Sequence, residues 1–144
     1  MVDRAVLAAK IVAIRDAVAR TRAVLPRDEV AFARDRTVRE VVVLNLFIAV
    51  QECVALATRW LADAGLDVPA TYSEVFQKLG ERDVLSLELS TRLAAASGFR
   101  NLVAHQYARL DWSRVYRIAP DQLDDLLAFS DVLAARAADQ GGET

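Results

Sequence analysis

The fold is decided by one apolar run near the middle of the chain, VVVLNLFIAV at residues 41–50. No Gly or Pro interrupts the wider stretch from about residue 36 to residue 64. The dense β-branched residues permit a strand interpretation, but the charged pair Arg39-Glu40 before the run and its continuation to Leu61 favour one long helix. A helix that is apolar on nearly all sides packs against several neighbours or a partner subunit, so we expect this one to be central.

Two amide side chains, Asn45 and Gln51, lie inside this predicted central helix. Buried amides need hydrogen-bond partners. Another segment of the chain or a second copy of it would supply these partners. The simpler alternative is that nearby backbone groups and water supply them. The sequence leaves both interpretations open.

Helices are predicted on both sides of the central one. Apolar residues at spacings of four, three and four, beginning at Leu7, indicate a helix over about residues 2–25 that Pro26 closes. The segment from Arg27 to Arg39 mixes charges and is predicted to be solvated, with Asp28 and Glu29 as start signals for a turn or a short helix. The other predicted elements are a helix over 71–79 that stops at Gly80, a helix over 86–104 opened by Ser86, a short helix over 112–118 capped by Asp111, a last helix with Pro120 in its first turn, and a frayed tail at 140–144. We therefore expect an all-α, up-and-down bundle of about five helices in a single domain over residues 1–144.

Composition excludes several classes of protein. The net charge of −2 provides no global basic field, so contact with RNA would have to be local. The single Cys53 sits in an apolar run, which argues against a disulfide scaffold. The longest uncharged apolar run, at 41–50, is too short for a membrane span, and the N-terminus does not read as a signal peptide. We expect a cytoplasmic protein.

Residues that can carry chemistry gather in GFRNLVAHQY at residues 98–107. Arg100 offers a planar fork of donors that suits a phosphate, and His105, the only histidine, can exchange a proton near neutral pH. Tyr107 adds a phenol two residues later. The combination points to phosphodiester chemistry.

The spacing of these residues constrains how they can act together. On an unbroken helix His105 lies about 140° round from Arg100, and Tyr107 lies nearly opposite His105. They converge only if the helix ends or bends near residues 103–106, or if a second copy completes the site. RNA cleavage through the 2′-hydroxyl needs a base and an acid, yet each chain has one histidine. A twofold dimer would supply two imidazoles and two guanidinium groups.

The stretch at residues 98–107, called the motif from here on, resembles the signature of the HEPN superfamily, specifically of the HepT-type toxins. The likeness lies in Arg100, His105 and Tyr107 at these spacings, and extends to Gly98-Phe99, Asn101, Lys10-Ile11, Ile14-Arg15, Asn45-Leu46, Gln51, Pro69, Tyr72, Phe76 and Asp111-Trp112. The arginine–histidine spacing occurs often by chance, whereas the whole set in this order is specific.

The resemblance implies a homodimeric, metal-independent endoribonuclease toxin that cleaves RNA, with tRNA as one expected target. It implies that His105 is the acid and base, that Arg100 stabilises the phosphate, and that Asn101 supports them. It also implies a partner, an MntA-like nucleotidyltransferase antitoxin, which silences the toxin by attaching AMP to Tyr107. No cofactor is expected.

Other interpretations of these residues stay open. Asn101 could simply cap a helix end, and Arg100 could be an ion-pair partner of Glu88 or of an aspartate in the last helix. The spacing of the single His and Cys gives no zinc signature. The alternative function is a non-catalytic helical partner that binds a nucleotide or the nucleotidyltransferase, and a purely structural helical dimer is a third.

Overall fold

The apolar run at 41–50 lies in a 28-residue helix, as predicted. The computed structural model describes residues 3–142, and all regular structure among them is helical. The elements are α1 (Arg4–Val24), α2 (Glu29–Arg34), α3 (Arg36–Asp63), α4 (Tyr72–Glu81), α5 (Leu87–His105), a 3-10 turn (Tyr107–Arg109) and α6 (Trp112–Gly142). The all-α prediction is confirmed, with six α-helices in the described residues where about five were expected.

Short polar side chains begin each of these helices. The carboxylate or hydroxyl oxygen of each capping residue accepts a hydrogen bond from a backbone N–H in the first turn, which an N-cap residue does. The caps of α1 to α6 are Asp3, Asp28, Asp35, Thr71, Ser86 and Asp111. Neighbouring residues also end α3: Gly65 adopts a φ of +75°, and the N–H of Leu66 donates a hydrogen bond to the carbonyl of Leu61 at 3.0 Å.

Helix α3 is the centre of the bundle, in contact with α1, α4, α5 and α6. Leu46, Val50 and Leu56 have no exposed surface. By length and hydropathy α3 would also be able to cross a membrane, which the ten-residue run did not predict. Because 56% of the most apolar 18-residue stretch of α3 is buried inside the protein, α3 fits the core helix of a bundle.

The predicted break at Pro120 is wrong. Helix α6 runs through Pro120 without interruption, and it includes residues 140–142 of the predicted tail; residues 143 and 144 lie outside the described residues. A proline inside a helix removes one backbone hydrogen bond. The buried face nevertheless continues on both sides of it, through Val115, Ala119, Leu123, Leu126, Phe129 and Leu133. Burial of that face outweighs the local cost.

Two further predictions differ from the structure. The segment from Arg27 to Arg39 is not simply solvated, since Phe32 in α2 is fully buried and its ring centroid lies 5.2 Å from that of Tyr116. Helix α4 does not stop at Gly80. A Cβ atom added there would lie 2.8 Å from the Cβ of Ser90, so the missing side chain allows α4 and α5 to cross closely.

Candidate active site

The guanidinium of Arg100 is held by three helices. Its Nε donates to Oε1 of Gln51 in α3 at 2.7 Å, and Nη1 donates to Oδ1 of Asn101 at 3.1 Å. The guanidinium carbon lies 5.2 Å from the ring centroid of Phe47 in α3 and 4.9 Å from that of Tyr72 in α4. Arg100 is half-buried, so the group is fixed in place while part of it stays accessible.

No carboxylate neutralises Arg100 within the described part of the chain. Glu88 and an aspartate of α6 pair with another arginine instead. Nη1 of Arg92 lies 3.9 Å from Oε1 of Glu88, and Nε of Arg92 lies 3.0 Å from Oδ1 of Asp125. The ion-pair interpretation of Arg100 is therefore wrong. A guanidinium whose neighbours are an amide oxygen and aromatic faces keeps its charge available for an anion.

His105 is the last residue of α5 and is exposed to solvent. The backbone N–H of Gln106 closes the helix by donating to the carbonyl of Leu102 at 2.8 Å. The predicted boundary near residues 103–106 is confirmed. The helix is nevertheless unbroken from Arg100 to His105, so the two side chains leave it about 140° apart. One copy of the chain does not bring them together.

Tyr107 follows in the 3-10 turn. Its ring meets that of Trp112 edge-on, with centroids 6.0 Å apart, and 45% of the residue is exposed. Arg36, at the start of α3, is close by. The pKa of Arg36 is raised above its ordinary value, first by its hydrogen bond to Glu40 and the charge of that carboxylate, and to a smaller extent by Tyr107. Tyr107 is thus an accessible phenol.

The two amide side chains of α3 behave differently. Gln51 reaches the motif segment, whereas Nδ2 of Asn45 donates to the backbone carbonyl of Val41 at 2.8 Å. Sequence reasoning missed the aromatic contacts of Arg100. A signal was present for one of them, because Phe47 lies four residues before Gln51 and so faces the same side of a helix.

Among residues 3–142 no three His, Cys, Asp or Glu side chains are grouped as metal ligands would be.

Comparison with known proteins decides the family. The family model described as Ribonuclease HepT-like matches residues 14–133. The chain belongs to the HepT-like ribonuclease family. The predicted family and the predicted class of enzyme, an endoribonuclease, are thereby confirmed.

Relatives of this HepT-like chain agree with that assignment. A curated protein of Shewanella oneidensis named mRNA nuclease HepT is 28% identical over 104 residues, which are 72% of this chain and 78% of that protein. Among solved structures, the tri-AMPylated HEPN toxin of Shewanella oneidensis in complex with an MNT antitoxin is 26% identical, with a TM-score of 0.85 over 92% of this chain and 99% of the other. A toxin–antitoxin structure with AMP-PNP gives the same identity, TM-score and coverage.

Proposed function

We propose that this HepT-like chain, a single domain, is the toxin of a toxin–antitoxin pair and cleaves RNA in the cytoplasm as a homodimer without a metal ion. The observation that carries the proposal is Arg100, a guanidinium fixed by Gln51 and two aromatic rings, with no carboxylate among the described residues to neutralise it. Such a group is suited to a phosphodiester and to the charge that grows on its oxygens during cleavage.

A second copy supplies the geometry that one chain lacks. Leu44 and Ile48 on α3 are 56% and 37% exposed, and Gln51 follows three residues after Ile48 on the same side of the helix. The apolar patch formed by Leu44 and Ile48 therefore borders the residues that hold Arg100. A twofold axis through this patch would cover it with its own copy and bring two motif segments to one groove.

The proposed chemistry uses two imidazoles. His105 of one copy takes the proton of the ribose 2′-hydroxyl while the 2′-oxygen forms a bond to phosphorus. The bond from phosphorus to the 5′-oxygen breaks, and the protonated His105 of the second copy gives its proton to that oxygen. Arg100 stabilises the charged phosphate, and Asn101, bonded to Arg100, keeps it oriented. The products are a 2′,3′-cyclic phosphate and a 5′-hydroxyl.

Silencing follows from the accessibility of Tyr107. One solved relative is a tri-AMPylated HEPN toxin in complex with an MNT antitoxin. In this chain a cognate MntA-like nucleotidyltransferase would transfer AMP from ATP to the Tyr107 oxygen, which loses its proton as pyrophosphate leaves. The added negative charge, two residues from His105, would repel RNA.

Cleavage of end-labelled RNA in EDTA tests the proposal. We expect the wild type to cut single-stranded RNA and leave a cyclic phosphate, and Arg100→Ala and His105→Ala to lose roughly 100-fold or more of the rate. Messenger and transfer RNA serve as parallel substrates, since the Shewanella relative is named for mRNA and tRNA is the target that the family resemblance implies. Equal cutting by all three proteins would reveal a contaminant and overturn the assignment.

A mass measurement tests the silencing. After incubation with the cognate nucleotidyltransferase and ATP, the wild type should gain the mass of one or more AMP groups and lose cleavage. Tyr107→Phe should gain none and stay active. AMP on the phenylalanine variant would place the modification elsewhere.

A further inference from the structure

A cavity of about 680 Å³ lies between α5 and the first half of α6. It is outside the contacts that hold Arg100. Its size is typical of pockets that take small organic ligands. The function proposed for Arg100 and His105 does not use it.

One wall of this cavity leads to His105. Ala95, Gly98 and Leu102 line it at spacings of three and four residues, and His105 follows after three more. These four residues therefore form one stripe along α5. His105 points within about 20° of the direction of Gly98, and so stands where the cavity meets the motif. A polynucleotide with one nucleotide in the cavity would continue along this face of α5 toward the imidazole.

The uncharged residues that line the cavity are apolar apart from one unsatisfied amide. Phe99 contributes an aromatic ring and Ile118 an aliphatic surface. Gln122 lines the same space, is 8% exposed, and has an amide oxygen with no hydrogen-bond partner in the described structure. A buried polar group without a partner is costly. Rotation of its terminal torsion turns either the acceptor or the donors of this amide toward the cavity.

The charges on the rim are arranged along the cavity. Arg109, Arg114 and Arg117, at the end near the motif, are exposed and form no ion pair among the described residues. Of the rim carboxylates, Asp125 bonds Arg92, the oxygen of Asp111 caps α6, and Asp121 carries no such contact in the part of the chain described. The end beside His105 is therefore the basic one, and it favours an anion there.

Gly98 keeps the cavity open. A Cβ atom added at Gly98 would have no heavy atom within 4 Å, so no close helix contact explains the glycine. A larger side chain at this position would occupy the cavity without disturbing the packing of the chain.

We propose that this cavity binds one unpaired nucleotide of the RNA substrate, beside the bond that is cut. The base would contact the ring of Phe99 and take hydrogen bonds from the amide of Gln122, in the way that amide side chains recognise base edges. Its flanking phosphates would lie against Arg109, Arg114 and Arg117. The inference rests on the proposed ribonuclease function and adds to it the preference for a single strand.

Binding measured without cleavage tests the subsite. In the His105→Ala background, fluorescence anisotropy with a labelled single-stranded RNA should show at least tenfold weaker binding for Gly98→Leu and fivefold for Gln122→Leu. Gly98→Ala, which adds only a methyl group, is the matched control and should bind within about twofold of the parent. A fully paired RNA should bind weakly to all four proteins.

Thermal melts check that the variants are folded. Leucine suits a helix better than glycine, and Gln122→Leu removes an unsatisfied amide, so neither variant should melt below its parent. Unchanged RNA affinity in both variants overturns the subsite even if the enzyme cleaves RNA. Tight binding that is lost in the two variants, from a wild type that cleaves nothing, supports the subsite while the ribonuclease proposal fails.

Discussion

Arg100 and Gln51 are 49 residues apart in sequence and share a 2.7 Å hydrogen bond from Nε to Oε1. The bond joins the motif helix α5 to the central helix α3. It uses the donor on the stem side of the guanidinium and leaves Nη2 for another acceptor. A half-buried residue of the central helix thus sets the orientation of the group proposed to hold phosphate.

Gln51→Leu should separate positioning from binding. Loss of the bond leaves Arg100 charged but free to turn, so we expect kcat to fall about tenfold with KM changed less than threefold. Steady-state cleavage of the labelled RNA gives both constants. Gln77→Leu, on the exposed side of α4, is the control and should match the wild type. A change in KM alone would mean that Gln51 acts in binding only.

The apolar patch on α3 should hold the dimer. Leu44→Glu with Ile48→Glu places charges on an exposed surface, so each chain should still fold, while the pair should dissociate because buried carboxylates repel. We expect monomers by light scattering and RNA cleavage reduced at least 100-fold. The control is Val68→Glu, at an exposed valine in the loop after α3. An active double variant that is monomeric would show that one copy is sufficient.

Much of the site could be predicted from local sequence. Ser86 and the spacing of apolar residues fixed α5 to within a residue or two at each end, and the identity of Arg100 and His105 indicated phosphate chemistry. The cavity beside Gly98 could not be predicted, because it depends on how α6 lies across α5. Likewise, the sequence offered Gln51 two kinds of hydrogen-bond partner, and only tertiary packing chose between them.

Pro120→Ala should stabilise the protein. Alanine restores the backbone donor inside α6 and favours the helix. It also gives the unfolded chain more conformational freedom, which offsets part of the effect. We expect the free energy of unfolding to rise by about 1–2 kcal/mol. Chemical denaturation followed by circular dichroism measures it. Pro69→Ala, at a proline in the loop between α3 and α4, should give no gain. A lower midpoint for Pro120→Ala would mean that the proline shape is needed where it lies.

The errors at Pro120 and Phe32 share one physical cause. Each local signal is sound in itself: proline disfavours a helix interior, and mixed charge favours solvent. In the fold, however, Val115 and Leu123 on either side of Pro120 are buried, and Phe32 packs against Tyr116. Burial of large side chains is worth about 1.5–3 kcal/mol each, so a few of them override a local preference.

Cys53 should be unreactive in the folded protein. Burial raises the pKa of its thiol well above the ordinary value, with a smaller contribution from Glu52. Since the folded pKa is the higher one, the contribution of this group to stability is complete below the ordinary thiol pKa and declines as the pH rises above it. Iodoacetamide at pH 8 should label the protein only after unfolding. Rapid labelling of the native protein would contradict the buried position.

The chain has a single histidine, at the exposed end of α5. Its proton NMR spectrum therefore contains one pair of imidazole ring signals, from the residue proposed to move protons. Those two resonances would report dimer formation, occupation of the neighbouring cavity and AMP on Tyr107 without any isotope label or engineered probe.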